Sequence, residues 1–259
     1  MTPAIAPSEH RNQVASSLLE ERHGWQCIIS AGAEFWFKGY LFGDTWRELA
    51  DRIAGGAEAG RKAIAAADGH FALIYIAKEW CLAATDRIGS IPLSFARTDD
   101  TWIIGSEARR VARAAGCHDH NRDAVLAIGM AGYTIGRDTI FNGLFALDPG
   151  ESVVLTKDSE PDRRHYFVYA PRPAPANGNA VRLTEILRHI FEKTAASLDG
   201  RTVIVPLSAG LDSRLIVTGL LEVGYQHIKC FSYGQPGNHE ATAARSSVMM
   251  KSFALSCVI

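Results

Sequence analysis

The chain lacks the common signs of an exported, membrane-bound or polyanion-binding protein. Its 259 residues hold only five cysteines. Cys27, Cys81, Cys117, Cys230 and Cys257 are scattered and never spaced C-x-x-C, which argues against a disulfide framework and a zinc knuckle and fits a reducing cytoplasm. No apolar run approaches bilayer length, and the first residues, MTPAIAPSEHRNQ, contain no apolar signal core. Lys and Arg number 27 against 28 Asp and Glu, so no charge excess draws the chain to nucleic acid or an anionic membrane. No G-x-x-x-x-G-K-[ST] is present, which excludes a Walker-type phosphate loop.

What is present is apolar residue content of 47%, enough for one large domain or two small ones. The stretch 170–180, APRPAPANGNA, reads as a linker. Before it the signals are mostly strands: WQCIIS (25–30), EFWFKGYLF (34–42), GHFALIYIA (69–77), WCLAATD (80–86), PLSFAR (92–97), TWIIGSE (101–107), ESVVLTKD (151–158) and RHYFVYA (164–170). Helices are expected over 45–67, broken at Gly55-Gly56, and over 106–116, stopped by Gly116. Many short strands with few helices predict packed antiparallel sheets. Some twenty polar residues precede the first expected strand, so 1–24 reads as an extension and 25–170 as the first domain.

After the linker the pattern changes. Leu183, Ile186, Leu187, Ile190 and Phe191 form a helical stripe, TVIVPL (202–207) a doubly buried strand, 212–224 a helix and HIKCFSYG (227–234) a second strand. This βαβ order predicts a parallel sheet over 181–259.

Between strand and helix lies Ser208-Ala209-Gly210-Leu211-Asp212-Ser213. Ligands of parallel sheets sit at the carboxyl ends of strands, and a helix N-terminus attracts phosphate. Gly210 permits close backbone approach, Ser208 and Ser213 offer hydroxyls, and Asp212 makes sense beside a phosphate only through Mg²⁺. Helix capping by Ser208, Asp212 and Ser213 is the plainer alternative.

The S-x-G-x-D-S pattern resembles the pyrophosphate-binding loop (PP-loop) of ATP pyrophosphatases. Gly69-x-Phe71-Ala72, Asp86-Arg87-x-x-Gly89-x-x-Pro92-Leu93, Ser106-Glu107, the segment LFALDPGESVVL (144–155) and FSYGQPGNHEATAAR (231–245) together resemble the asparagine synthetase family. The resemblance implies an N-terminal αββα sandwich of antiparallel sheets, of the Ntn-hydrolase glutaminase type, then a partial parallel-sheet PP-loop domain. It implies ATP and Mg²⁺ as ligands, a small-molecule carboxylate and an amine or ammonia as reactants, and either a homodimer or a completing partner chain. Leu207, Ser208, Ala209, Gly210, Leu211, Asp212, Ser213, Ser232 and Gly234 would hold ATP and pyrophosphate, with Asp212 on the metal.

Three departures shape the expectation. Thr2 stands where the family has its N-terminal cysteine nucleophile, so glutaminase activity is expected to be lost and no catalytic residue is assigned there. Lys38 and Tyr40 flank Gly39 in place of the amide and carboxylate that help hold glutamine. After Arg245 the family's further strands, second carboxylate and lysine have no counterpart, which suggests a truncated chain or one completed by another polypeptide, so the alternative to an ATP-dependent amide ligase is a non-catalytic fragment or scaffold that retains at most ATP or pyrophosphate binding. Asp86-Arg87 and Glu107 read as structural, and His118 and His120 as a solvated turn rather than a metal site.

Overall fold

The structure, a computed structural model, describes residues 14–134, 136–171, 179–208, 210–233 and 255–257. It divides into two units, Met1–Ala170 and Pro171–Ile259.

The first unit is built on two sheets. One has six strands in the order β10-β9-β5-β4-β3-β2: β2 (Gln26–Ser30), β3 (Ala33–Leu41), β4 (Gly69–Ile76), β5 (Cys81–Thr85), β9 (Glu151–Leu155) and β10 (Asp162–His165). The other has four, in the order β1-β7-β6-β8: β1 (Ala15–Leu18), β6 (Ser94–Arg97), β7 (Trp102–Gly105) and β8 (Leu144–Ala146). β4 explains the layering. Its apolar run feeds two cores by strand alternation. Phe71, Leu73 and Tyr75 pack with Leu49, Ala50 and Ile53 of α1 (Trp46–Ile53) and Ala63 and Ile64 of α2 (Ala57–Ala66). Ala72, Ile74 and Ile76 instead meet Phe95, Trp102 and Ile104 of the second sheet. That sheet's outer face, Ala96, Ile103 and Leu144, is covered by Val111 and Ala112 of α3 (Ala108–Ala114). The layers therefore run helix, sheet, sheet, helix, a mixed α/β architecture.

Local chemistry sets the element ends. Thr45 and Glu48 form a reciprocal capping box at the start of α1. Ala31 (φ 51°) and Gly32 (φ 77°) make the two-residue turn between β2 and β3, with both residues left-handed as a type I′ turn requires. Gly39 is obligatory: a Cβ there would lie 1.9 Å from the His70 carbonyl oxygen, and φ is +105°. Arg61, buried on α2, donates to Ser152 Oγ at 3.0 Å and to the Asp162 carbonyl at 2.6 Å, tying the helix to β9 and β10.

Several elements differ from the sequence reading. A strand, β1, lies upstream of Trp25, and it pairs parallel with β7, so the sandwich is not purely antiparallel. Its partner lies far along the chain and its sequence, ASSL, carries little β signal. The last strand of the unit is Asp162–His165 rather than 164–170, because Arg163 is anchored by buried Glu151. A helix, α4 (Arg122–Ala131), follows the 117–121 turn, with Asn121 as its side-chain cap.

The second unit contains α5 (Asn179–Leu198), β11 (Val203–Pro206), α6 (Leu211–Glu222), β12 (Ile228–Ser232) and β13 (Leu255–Cys257). The strands form a parallel sheet in the order β11-β12-β13. Val205, Leu207, Ile228 and Cys230 bury one face against Phe191 of α5 and Val217 and Leu220 of α6. The ring of Phe191 lies over Gly219, where a Cβ would sit 2.1 Å from it.

Candidate functional site

The Ser208–Ser213 loop occupies the carboxyl edge of the parallel sheet, between β11 and α6. The Leu207 N–H donates to the Phe231 carbonyl at 2.7 Å, extending the β11–β12 ladder by one bond. That bond brings Leu207, which is buried, level with buried Ser232 at the end of β12. The loop is stitched by hydroxyls. Ser208 N–H donates to Ser213 Oγ at 3.2 Å, the two Oγ atoms lie 3.3 Å apart, and Gly210 N–H donates to Ser208 Oγ at 3.1 Å.

α6 starts at Leu211 with Gly210 as N-cap, and no side chain caps it. The N-cap residue has no side chain of its own, and the Ser208 and Ser213 hydroxyls accept backbone N–H bonds just ahead of the helix, so bonding of the capping kind is part of this loop. Asp212 lies exposed in the first turn and forms no ion pair among the described residues. Leu211 is 76% exposed and contributes backbone rather than packing. Arg214 folds back, its Nε donating to the Gly210 carbonyl at 3.0 Å. Ala209, Gly234 and Thr2, together with the 172–178 part of the linker and the 234–254 stretch, lie outside the described residues.

In the first unit, Asp86 organises the region where the family-like motifs meet. Its carboxylate, 1% exposed with its residue, accepts from Phe71 N–H at 2.9 Å, Ile88 N–H at 2.8 Å and Ser90 N–H at 3.1 Å. Its carbonyl accepts from Gly89 N–H at 3.1 Å and Gly150 N–H at 2.7 Å, so the D-R-I-G and D-P-G turns interlock. Arg87 lies over the Phe167 ring at 5.7 Å and forms no salt bridge with Asp86. Glu107 ends the chain leading into α3 and pairs with His23 at 3.3 Å and Arg110 at 3.6 Å. His120 packs on Phe141, centroids 5.6 Å apart.

Sequence reasoning missed two groupings. Tyr40, Phe42 and His70 form an aromatic cluster beside Gly39, with His70 Nδ1 2.9 Å from Ser90 Oγ. Burial, with the charge of Asp86, raises the Tyr40 hydroxyl above its ordinary pKa. Asp148, Glu151 and His165 bring three metal-ligand types together. Arg163, however, holds both Glu151 oxygens at 2.6 Å, so the carboxylate is already neutralised. Only tertiary packing creates either grouping, and no spacing in the sequence announces them. Cys27, the internal thiol on β2, is pushed up to about 11 by burial and the Glu34 charge, the reverse of what a nucleophile needs.

Residues 53–167 match the model of a family described as a glutamine amidotransferase domain. This part of the first unit is similar to a glutamine amidotransferase domain, and the match begins after β3, beyond Lys38, Gly39 and Tyr40. No curated protein matches the chain. Among solved structures, it is similar to a glutamine phosphoribosylpyrophosphate amidotransferase from B. subtilis complexed with ADP and GMP, at 13% identity and TM-score 0.35, over 90% of this chain and 73% of that one. It is also similar to an allosteric regulatory enzyme of purine biosynthesis, at 13% identity and TM-score 0.33, over 85% of this chain and 51% of that one. Likeness at this level implies nothing about activity. Among the described residues no helix is long and apolar enough to cross a membrane.

Proposed function

We propose that the chain belongs to an ATP-dependent amide ligase of the asparagine synthetase type, in which the amidotransferase-type unit serves as a scaffold without glutaminase activity. In the reaction a substrate carboxylate is adenylated by ATP, pyrophosphate leaves, and ammonia or another amine displaces AMP to form the amide. The supporting observation is the S-x-G-x-D-S loop at the end of a parallel strand, leading into a helix whose first turn has no side-chain cap.

In this reading the first-turn N–H groups of α6 and the hydroxyls of Ser208 and Ser213 bind the β and γ phosphates as charge moves onto the leaving pyrophosphate. The hydroxyls already meet at 3.3 Å, so the loop is preorganised to receive a tetrahedral oxyanion group. An exposed carboxylate such as Asp212 is a hard oxygen donor, suited to Mg²⁺, which would neutralise polyphosphate charge. Lys38 and Tyr40 around Gly39, and the unreactive thiol of Cys27, support the scaffold role of the first unit.

Calorimetric titration of the chain with Mg²⁺–ATP and Mg²⁺–pyrophosphate tests the loop. Binding that weakens at least about tenfold in Asp212→Ala, roughly 1.4 kcal/mol, is the expected result. Absence of binding, or binding indifferent to that change, overturns the ligase reading. A glutaminase assay is expected to release no ammonia above background.

A further inference from the structure

α5 and α6 pack on the same face of the parallel sheet, and a groove of about 210 Å³ lies between them. Its lining is largely apolar: Leu187 and Phe191 come from α5, Leu215 from α6 and Val223 from the residue that ends it. Gly219 belongs to the same face of α6, and the Phe191 ring occupies the space that a Cβ would need there.

The rim carries opposite charges. Arg188 Nη2 donates to Glu222 Oε1 at 3.1 Å, a single contact between side chains that are 57% and 65% exposed. An exposed pair of this kind contributes little to stability, so a ligand can part it at small cost. Glu222 ends α6, where the helix dipole is negative, and no basic residue lies in the last turn. An ammonium group is the ion that relieves that concentration of negative charge. Arg188 offers a planar fork of donors, the shape that fits a carboxylate.

An α-amino acid carries both ions on one carbon, through bonds of about 1.5 Å each, within reach of two side chains that already touch. Drug-sized ligands occupy about 300–1,000 Å³. The smaller groove here suits a single amino acid rather than a nucleotide or a peptide.

We propose that this groove binds a free α-amino acid with an apolar side chain, its carboxylate on Arg188, its ammonium group on Glu222 and its side chain against Leu187, Phe191 and Leu215. The groove begins at Leu215, past the loop at the start of α6, so binding is independent of the nucleotide reading.

An amide NMR titration of the full chain with L-leucine tests the proposal. Saturable shifts centred on 184–191 and 215–223 are expected, with a Kd on the order of 1 mM. N-acetyl-leucine lacks the ammonium group, leucinamide lacks the carboxylate and glycine lacks the side chain. Each is expected to bind at least about tenfold more weakly. Arg188→Gln and Glu222→Gln are each expected to weaken L-leucine binding about tenfold, with the thermal melt unchanged because both side chains are exposed. Absence of saturable shifts, shifts lying elsewhere, N-acetyl-leucine or leucinamide binding as well as L-leucine, or binding indifferent to both substitutions overturns it.

Discussion

Asp86 and Phe71 are joined twice: the Phe71 N–H donates to Asp86 Oδ2 at 2.9 Å, and the Asp86 N–H donates to the Phe71 carbonyl at 2.9 Å. The carboxylate also holds the N–H groups of Ile88 and Ser90. Asp86→Ala removes the acceptor and leaves three donors unpaired, the Phe71 N–H buried and those of Ile88 and Ser90 partly so. A loss of about 3 kcal/mol is expected, read as a lower urea midpoint at unchanged slope. Asp86→Asn is expected to lie between, since its amide group points hydrogens at donors. An effect within 0.5 kcal/mol, about the scatter of a surface change, would refute the hub role.

The Glu151–Arg163 pair is nearly buried on both sides, with side chains 2% and 11% exposed. Glu151→Gln leaves the guanidinium without its counter-charge, and a cost of about 3 kcal/mol is expected. Because β10 has few apolar anchors, hydrogen exchange should accelerate first in 162–165. Uniform acceleration across the sheet would show that the pair is not what holds that strand.

Gly39 and Ala31 make opposite predictions for backbone changes. Gly39→Ala drives a methyl to 1.9 Å from the His70 carbonyl and is expected to abolish folding of the hairpin with β4. Ala31→Gly relieves a left-handed alanine and is expected to raise stability by about 1 kcal/mol. Thermal melts of both variants decide the matter, and a stabilised Gly39→Ala would mean that β3 and β4 do not cross as described.

The Cys27 thiol gives a pH signature. Burial and then Glu34 raise its pKa from 9.0 to about 11, so at pH 8 its thiolate fraction is about 100-fold below that of an ordinary thiol. Iodoacetamide should label it slowly in the folded chain and rapidly after denaturation. Because the native state favours the protonated thiol, its contribution to stability is intact below pH 9 and declines as pH rises toward about 11. Equal labelling rates in folded and denatured protein would remove the basis for calling Cys27 inert.

How far the sequence discloses this molecule depends on whether a signal is local. Thr45 and Glu48, the Gly55-Gly56 break and the apolar run of β4 state their structure within a few residues, and each recurs in the fold. β1 and β10 do not. ASSL is a strand only because β7 pairs with it, and DRRH only because Glu151 and Arg61 hold it. α4 shows the same limit from the other side: Val125, Leu126, Ile128 and Met130 stay exposed, so no core stripe marks the helix. The loop Ser208–Ser213 was legible as a motif because its six residues are contiguous, whereas the meeting of Asp148, Glu151 and His165 is made by two strands and a turn.

The parallel pairing of β1 with β7 has a consequence in time. Trp102 lies 87 residues after Ala15, so β1 finds its partner only after the intervening chain has been made. At about 5–20 residues per second that interval is of the order of ten seconds. β1 thus waits unpaired while β2 to β6 are made, and until β7 emerges its backbone edge is open to proteases and chaperones.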